Sequence, residues 1–253
     1  MGTFAMTGGA TGIGAELKRQ LLEAGHEVIS VDIKEGDIIA DLSTEQGRQV
    51  AVDGVRERAP DGLDGFIPCA GLPPVAKPLS LIAKVNYFAV IATVEGLRDL
   101  VAKKNGSVLL VSSNSAPMVP ADDKFVELCL SGDEAAACAE IDQRDGHTAY
   151  AGSKRAITIW MRRNVVAYAK DGIRMNAVAP GITITPLTEQ VMADEEFGDS
   201  IKQFGEMVPL GTAQPVQIAN VMRFLLSEEA NFVCGSVFFV DGGSDAMLRT
   251  EDF

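Results

Sequence analysis

The chain has 253 residues and a formal net charge of −13, with a sequence pI near 4.6. Such an acidic surface repels phosphate backbones and anionic lipid, which excludes nucleic acid and membrane surfaces as first partners. Cys69, Cys129, Cys138 and Cys234 form no C-x-x-C pair and His26 and His147 stand apart from them, so neither a metal cluster nor a disulfide framework is expected.

The N-terminal MGTFAMTGGA lacks a basic region followed by a long apolar one, and no uninterrupted apolar run nears the roughly 18 residues of a spanning helix. The expectation is a reduced, metal-free, cytoplasmic chain forming a single domain over 1–253. Short apolar runs alternate with segments of helical period, which predicts βα units around a parallel sheet. A strand is expected over 3–6, a helix over 14–24 closed by Gly25, a strand over 27–31, a brief strand over 37–40 and a polar-faced helix over 44–58. A fourth strand over 63–68 runs into Cys69-Ala70-Gly71 and a Pro-rich loop. A long helix over 79–103, a strand over 107–112 ending in serines and a long helix over 149–170 follow. A sixth strand over 174–178 is stopped by Pro180 and Gly181, and a helix over 215–226 and a strand over 237–240 complete the pattern. Seven strands flanked by helices describe an α/β, Rossmann-type doubly wound parallel sheet.

Two stretches break the alternation. Residues 117–148 carry eight acidic and two basic side chains, with patches FVELCL and AAACAEI that read as two short helices inserted before the next long helix. The acidic face of this insertion reads most simply as solvated. Residues 182–212 form a long segment at the carboxyl edge of the sheet, where lids and binding loops gather. Its Leu187, Val191, Met192, Phe197, Ile201, Phe204, Met207 and Val208 suit amphipathic helices over an apolar pocket, or simple packing of the lid onto the body.

Directly after the first strand stands TGGATGIG (7–14), then a helix. A pyrophosphate needs backbone N–H groups close by, and side chains at Gly8, Gly12 or Gly14 would block the turn, the approach or the helix packing. At the end of the second strand, Asp32 can accept both hydroxyls of an adenosine ribose while repelling a 2′-phosphate, so NAD rather than NADP is the expected cofactor. Lys34 is the one nearby cation that could reach toward a phosphate.

Tyr150 and Lys154 share a helix face at a spacing of four. An ammonium and a nicotinamide cation nearby would stabilise a phenolate, letting Tyr150 exchange a proton with a substrate oxygen. The preceding strand ends VSSNSA, which puts hydroxyls at the same sheet edge. His147 reads as a surface histidine at a helix start and Trp160 as core or interface packing.

Together these motifs resemble the short-chain dehydrogenase/reductase family over essentially the whole chain. TGGATGIG is similar to its glycine motif, with Gly8, Thr11, Gly12, Ile13 and Gly14 at the cofactor; Asp41-Leu42 to its adenine-contacting pair; Cys69-Ala70-Gly71 to its NAG; and Pro180-Gly181 with Thr183 and Thr185 to its nicotinamide-side segment. Cys69 replaces the family's Asn, which touches a strand-stabilising hydrogen bond more than the chemistry. The resemblance implies Tyr150 as general base in oxidation and general acid in reduction. It makes Ser113 the group bonded to the substrate oxygen, with Ser112 and Ser115 as rivals. Lys154 would bind the nicotinamide ribose and lower the Tyr150 pKa, and Asn86 would hold a water linking Lys154 to solvent.

The insertion, with IADLS, VNYF, AYAGSK and DGGSDAM, resembles the bacterial 3-alpha-hydroxysteroid dehydrogenase/carbonyl reductase branch of that family. That implies a secondary alcohol or ketone on an apolar ring as substrate. It also implies a homodimer, or a homotetramer if the usual surface survives the insertion. A cyclic monoterpene alcohol such as isopiperitenol or carveol is the alternative substrate, and a catalytically silent NAD-binding regulator the alternative class.

Overall fold

Alternating runs of apolar residues close into one parallel sheet in the computed structural model, which describes residues 1–195 and 197–252. Its strands are β1 (Thr3–Thr7), β2 (Glu27–Asp32), β3 (Ile38–Ile39), β4 (Gly65–Pro68), β5 (Ser107–Val111), β6 (Arg174–Pro180) and β7 (Val237–Val240), in the order β3-β2-β1-β4-β5-β6-β7. All pairs are parallel; Phe4 sits beside Val28 on one side and Gly65 on the other. The strand order reverses between β1 and β4, and connections leaving in opposite directions open a crevice at their carboxyl ends.

The helices are α1 (Gly12–Glu23), α2 (Glu45–Arg58), α3 (Leu79–Ala83), α4 (Ala89–Ala102), α5 (Lys124–Ser131), α6 (Glu134–Ile141), α7 (Gly146–Lys170), α8 (Pro186–Met192), α9 (Gly198–Met207), α10 (Pro215–Leu226) and α11 (Ser244–Leu248). On one face, Leu17 and Leu21 of α1 join Ile218, Met222 and Leu225 of α10 over Met6, Ile67 and Leu109. On the other, Val55, Val94, Leu97, Ile157 and Met161 cover Ala5, Phe66, Val108 and Leu110. Both faces being covered is why β4 and β5 read as unbroken apolar runs. Truncating a fully buried side chain such as Leu97 or Met222 to Ala would cost about 2–5 kcal/mol.

Several elements depart from the sequence expectation. The helix expected over 79–103 is interrupted by a π-helical turn, Lys84–Phe88, between α3 and α4. The apolar pattern runs on unbroken through this turn, which sets Asn86 at the sheet edge; such bulges gather at functional sites. Leu79–Ala102 as a whole spans 24 residues, and its most apolar 18-residue window has a mean hydropathy of 1.3, long and apolar enough to cross a membrane although no uninterrupted apolar run in it reaches that length. Here its Leu79, Ile82, Val90, Val94, Leu97 and Val101 are buried in the protein core.

The third strand shrinks to two residues because Asp37 turns its carboxylate onto Ser30, accepting from its N–H at 2.8 Å and its hydroxyl at 2.6 Å. The second long helix starts at Gly146 instead of 149, with Asp145 accepting from Thr148 N at 2.8 Å as its cap. β6 continues through Pro180, whose carbonyl accepts from Asn114 N at 3.0 Å. α1 begins at Gly12, two residues early. The unforeseen α11 is folded onto Asp241, which accepts from Gly243 N at 3.0 Å and Asp245 N at 2.6 Å.

In the insertion α5 and α6 form as expected, capped by Asp123 and Asp133. Its acidity is only partly solvated: Asp123 pairs with Arg144 at 2.9 Å, Glu140 with Lys124 at 2.5 Å and Glu134 with Arg48 at 2.6 Å. The lid helices α8 and α9 bury Val191 and Val208, while Leu187, Met192, Phe197, Ile201 and Phe204 are half-buried and Met207 is exposed.

Candidate active site

Parallel strands deliver their carboxyl ends to one edge, and the chemistry-bearing residues collect there. The turn between β1 and α1 is built on glycine. Gly8 and Gly12 adopt φ of 73° and 59°, and a Cβ on Gly8 would lie 2.6 Å from the backbone of Ala70. A Cβ on Gly14 would lie 2.0 Å from the carbonyl oxygen of Gly8. Only bare backbone fits, and it brings the amino end of α1 to the crevice, which is the cradle a pyrophosphate needs. Thr185, the N-cap of α8, lies against this turn: a Cβ on Gly12 would be 3.2 Å from its methyl group. The lid therefore starts on the glycine turn, and Thr183 bonds back to Gly181 O at 3.0 Å.

Asp32 ends β2 as expected. Its Oδ1 accepts from Ile33 N at 2.7 Å and its Oδ2 faces Ala10 N at 3.4 Å, so the carboxylate is aimed from the second strand onto the glycine loop. Lys34 is exposed and gives only its backbone N–H to the same carboxylate, at 3.4 Å. Asp41 holds Ser43 through its N–H at 3.0 Å and its hydroxyl at 2.7 Å, and Leu42 is buried beside it. At Cys69 the hydrogen bonding passes to Thr7, whose hydroxyl accepts from Ala70 N at 3.1 Å. Burial raises the Cys69 thiol to about 11, with Lys154 pulling slightly the other way, so it stays protonated and inert at neutral pH.

Ser113, Tyr150 and Lys154 come together where β5 meets α7. The Ser113 hydroxyl faces the Tyr150 phenol and pulls its pKa down. It also lies 2.9 Å from Ser115 Oγ and accepts from Ser115 N at 3.2 Å. Ser112 is removed from contention because its hydroxyl donates to the carbonyl of Lys154 at 3.1 Å, stapling β5 to α7. Lys154 is 5% exposed and donates from Nζ to Val111 O at 2.9 Å. Burial lowers its pKa to about 8.

One expectation changes. Burial pushes the Tyr150 pKa up, and the opposing pull comes from the Ser113 hydroxyl and not from Lys154, whose Nζ is 5.8 Å from the ring centroid. The side chain of Asn86 accepts from Leu72 N at 2.7 Å and donates to Leu72 O at 3.0 Å. Gly71 stands between the two, with a Cβ position 3.5 Å from Asn86 Oδ1 and 3.8 Å from Lys154 Nζ. Trp160 packs edge-on against Tyr168 and His147 is exposed, as expected.

Residues missed by the sequence reading are Thr7, Asn114 and Ser244. Asn114 Nδ2 donates to Ser244 Oγ at 2.8 Å, tying the serine turn to α11. Only the position of Asn114 between two serines could have flagged it. The arrangement can hold a dinucleotide along the crevice and exchange one proton at Tyr150.

Comparison with known proteins points the same way. Residues 3–122 match the family described as short chain dehydrogenase, and residues 135–245 match the one described as Enoyl-(Acyl carrier protein) reductase. The chain is 37% identical to the 3-alpha-hydroxysteroid dehydrogenase/carbonyl reductase of Comamonas testosteroni, over 100% of both chains. It is 28% identical to the cis-4-hydroxycyclohexanecarboxylate dehydrogenase of Sinomonas cyclohexanicum, over 96% of each. The crystal structure of the 3-alpha-hydroxysteroid dehydrogenase from Pseudomonas sp. B-0831 complexed with NADH superposes with a TM-score of 0.95 at 44% identity, covering 99% of this chain and 100% of that one.

Proposed function

This chain belongs to the short-chain dehydrogenase/reductase family, and on that premise we propose that it is an NAD(H)-dependent oxidoreductase interconverting a secondary alcohol and a ketone on an apolar ring. The observation that carries the reading is the convergence of the Ser113 hydroxyl on the Tyr150 phenol, with buried Lys154 behind it, at the sheet edge that also bears the glycine turn and Asp32.

NAD bound here supplies the hydride acceptor, and NADH the donor. The turn from Gly8 through Thr11, Gly12, Ile13 and Gly14 would hold its pyrophosphate and Asp32 its adenosine ribose. Asp41 and Leu42 would face the adenine, Cys69, Ala70 and Gly71 would line the crevice, and Pro180, Gly181, Thr183 and Thr185 would serve the nicotinamide side. Tyr150 Oη takes the alcohol proton in oxidation and returns it to the ketone oxygen in reduction. Ser113 Oγ donates to the same substrate oxygen and steadies its developing charge, while Lys154 contributes a buried cation near the ribose. Asn86 supports this frame by fixing Leu72.

A steroid is the first substrate to try, since the two relatives at 37% and 44% identity carry hydroxysteroid dehydrogenase in their names. The half-buried lid residues Leu187, Met192, Phe197, Ile201 and Phe204 supply apolar surface for such a ring. A smaller ring alcohol, including a cyclic monoterpenol, is the second reading, favoured by the similarity to a dehydrogenase whose name specifies one cyclohexane ring. The same reading makes the chain a single cytoplasmic domain that assembles as a homodimer or homotetramer; the half-buried edge strand β7 offers a face for a second copy.

The deciding experiment follows NADH absorbance with NAD and a panel of 3-hydroxysteroids and monocyclic alcohols. Turnover of a steroid is expected; turnover of monocyclic alcohols alone selects the second reading, and no turnover of any alcohol or ketone leaves a silent NAD-binding protein.

A further inference from the structure

We propose that Arg48 and Glu134 form a positioning pair through which the insertion sets the adenosine side of the cofactor site. Arg48 stands on α2 and is only 7% exposed. Its guanidinium reaches three separate segments. Nε donates to the carbonyl of Leu42 at 2.9 Å, and Nη2 to the carbonyl of Lys84 at 3.3 Å. Nη1 and Nη2 grip the Glu134 carboxylate at 2.6 and 2.9 Å.

A guanidinium is planar, so the directions of its N–H bonds are fixed relative to one another. The carboxylate that orients the fork therefore also orients the Nε bond to Leu42. Among the described residues, Glu134 is the only ion-pair partner of Arg48, and it comes from the insertion. Without it a nearly buried cation would lose its counter-charge and turn toward whatever acceptor or solvent it could reach.

What Arg48 holds is the loop that carries Asp41. Leu42 follows Asp41 directly, and the first turn of α2 presses on the same loop: a Cβ at Gly47 would be 1.9 Å from the carbonyl oxygen of Asp41. At its other end, α6 is anchored independently, because Asp142 accepts from Ser80 N of α3 at 2.8 Å. The insertion is thus braced on α3 and its first turn reaches back to the cofactor loop. Its sequence position, between Ser113 and Tyr150, gives no hint of that contact.

This inference rests on the cofactor reading above, and its test separates the two. NADH binding is titrated by its fluorescence, and kcat and KM are measured, for the wild type, Glu134→Gln, Arg48→Lys and Glu140→Gln. Glu140 pairs elsewhere in the insertion, with Lys124 and Arg144, and serves as control. Losing about one hydrogen bond's worth of loop placement should weaken NADH binding about fivefold in Glu134→Gln, with kcat within about twofold of wild type. Arg48→Lys, which keeps the charge but not the fork, should match it; should it fail to fold, Glu134→Gln still decides. Glu140→Gln should bind as wild type. A Glu134→Gln protein that melts earlier yet binds NADH as wild type does would make the pair a mere structural brace and overturn the inference alone. A wild type that does not bind NADH would overturn the cofactor reading and this inference together.

Discussion

Asn86 grips one residue at both ends: its Oδ1 takes the N–H of Leu72 and its Nδ2 gives to the carbonyl of that same residue. A fully buried amide thus fastens the crevice segment after Gly71 to the π-helical turn. Asn86→Leu keeps the shape but leaves both Leu72 groups unpaired, at a cost of about 2–5 kcal/mol. Chemical denaturation should show that loss, and turnover should fall along with NADH affinity because the Gly71 segment is freed.

Tyr150→Phe removes only the proton-exchanging oxygen. Turnover should drop by about 10²–10⁴-fold while NADH binding, read by fluorescence, stays within about twofold of wild type. Ser113→Ala removes the hydroxyl that pulls the Tyr150 pKa down against burial, so that pKa should rise. The acidic limb of the pH–rate profile for alcohol oxidation, where Tyr150 must be deprotonated, should move to higher pH, and so should the basic limb for ketone reduction, where it must be protonated; a shift to lower pH would contradict the assignment of Ser113.

Asp32 sets the coenzyme choice. Its carboxylate repels a 2′-phosphate, so Asp32→Asn should raise the ratio of kcat/KM for NADP to that for NAD by about tenfold, roughly 1.4 kcal/mol. An unchanged ratio would shift the selection to Lys34 or elsewhere.

Lys154 titrates near 8 in the folded protein against an ordinary 10.5, because its charge is buried. Between those values the unfolded chain holds more protons than the folded one, so stability rises with pH across that window. Lys154→Met lacks this gain. Relative to wild type, its cofactor-free stability should fall by about 3 kcal/mol between pH 8 and 10.5, and denaturation curves at the two ends measure it.

Periodicity and turn residues made the sheet and its crevice legible. β1, the glycine turn and Asp32 follow from a local pattern in which each residue's role depends on its neighbours in sequence. The same holds for the insertion helices, whose Asp123 and Asp133 caps precede apolar patches. The π-helical turn was hidden because an expanded turn leaves the apolar spacing of Leu79–Ala102 almost unaltered. Arg48, Asn114 and Asp142 were hidden for another reason: their partners Glu134, Ser244 and Ser80 lie far along the chain. The suppressed pKa of Tyr150 was expected from a cation four residues away. Spacing on a helix face does not fix where a long side chain points, and Lys154 turns to Val111 instead.

Ser113 stands just past a strand and Tyr150 just inside a helix, so each sits on an element of the central frame and the segment joining them loops out between the two. Doubling such a segment adds only about 0.6 kcal/mol of closure entropy. Chain length between two reacting groups is therefore nearly free to change in this architecture. New helices can be spliced there, drift in sequence and acquire contacts of their own while the proton-exchanging pair keeps its place.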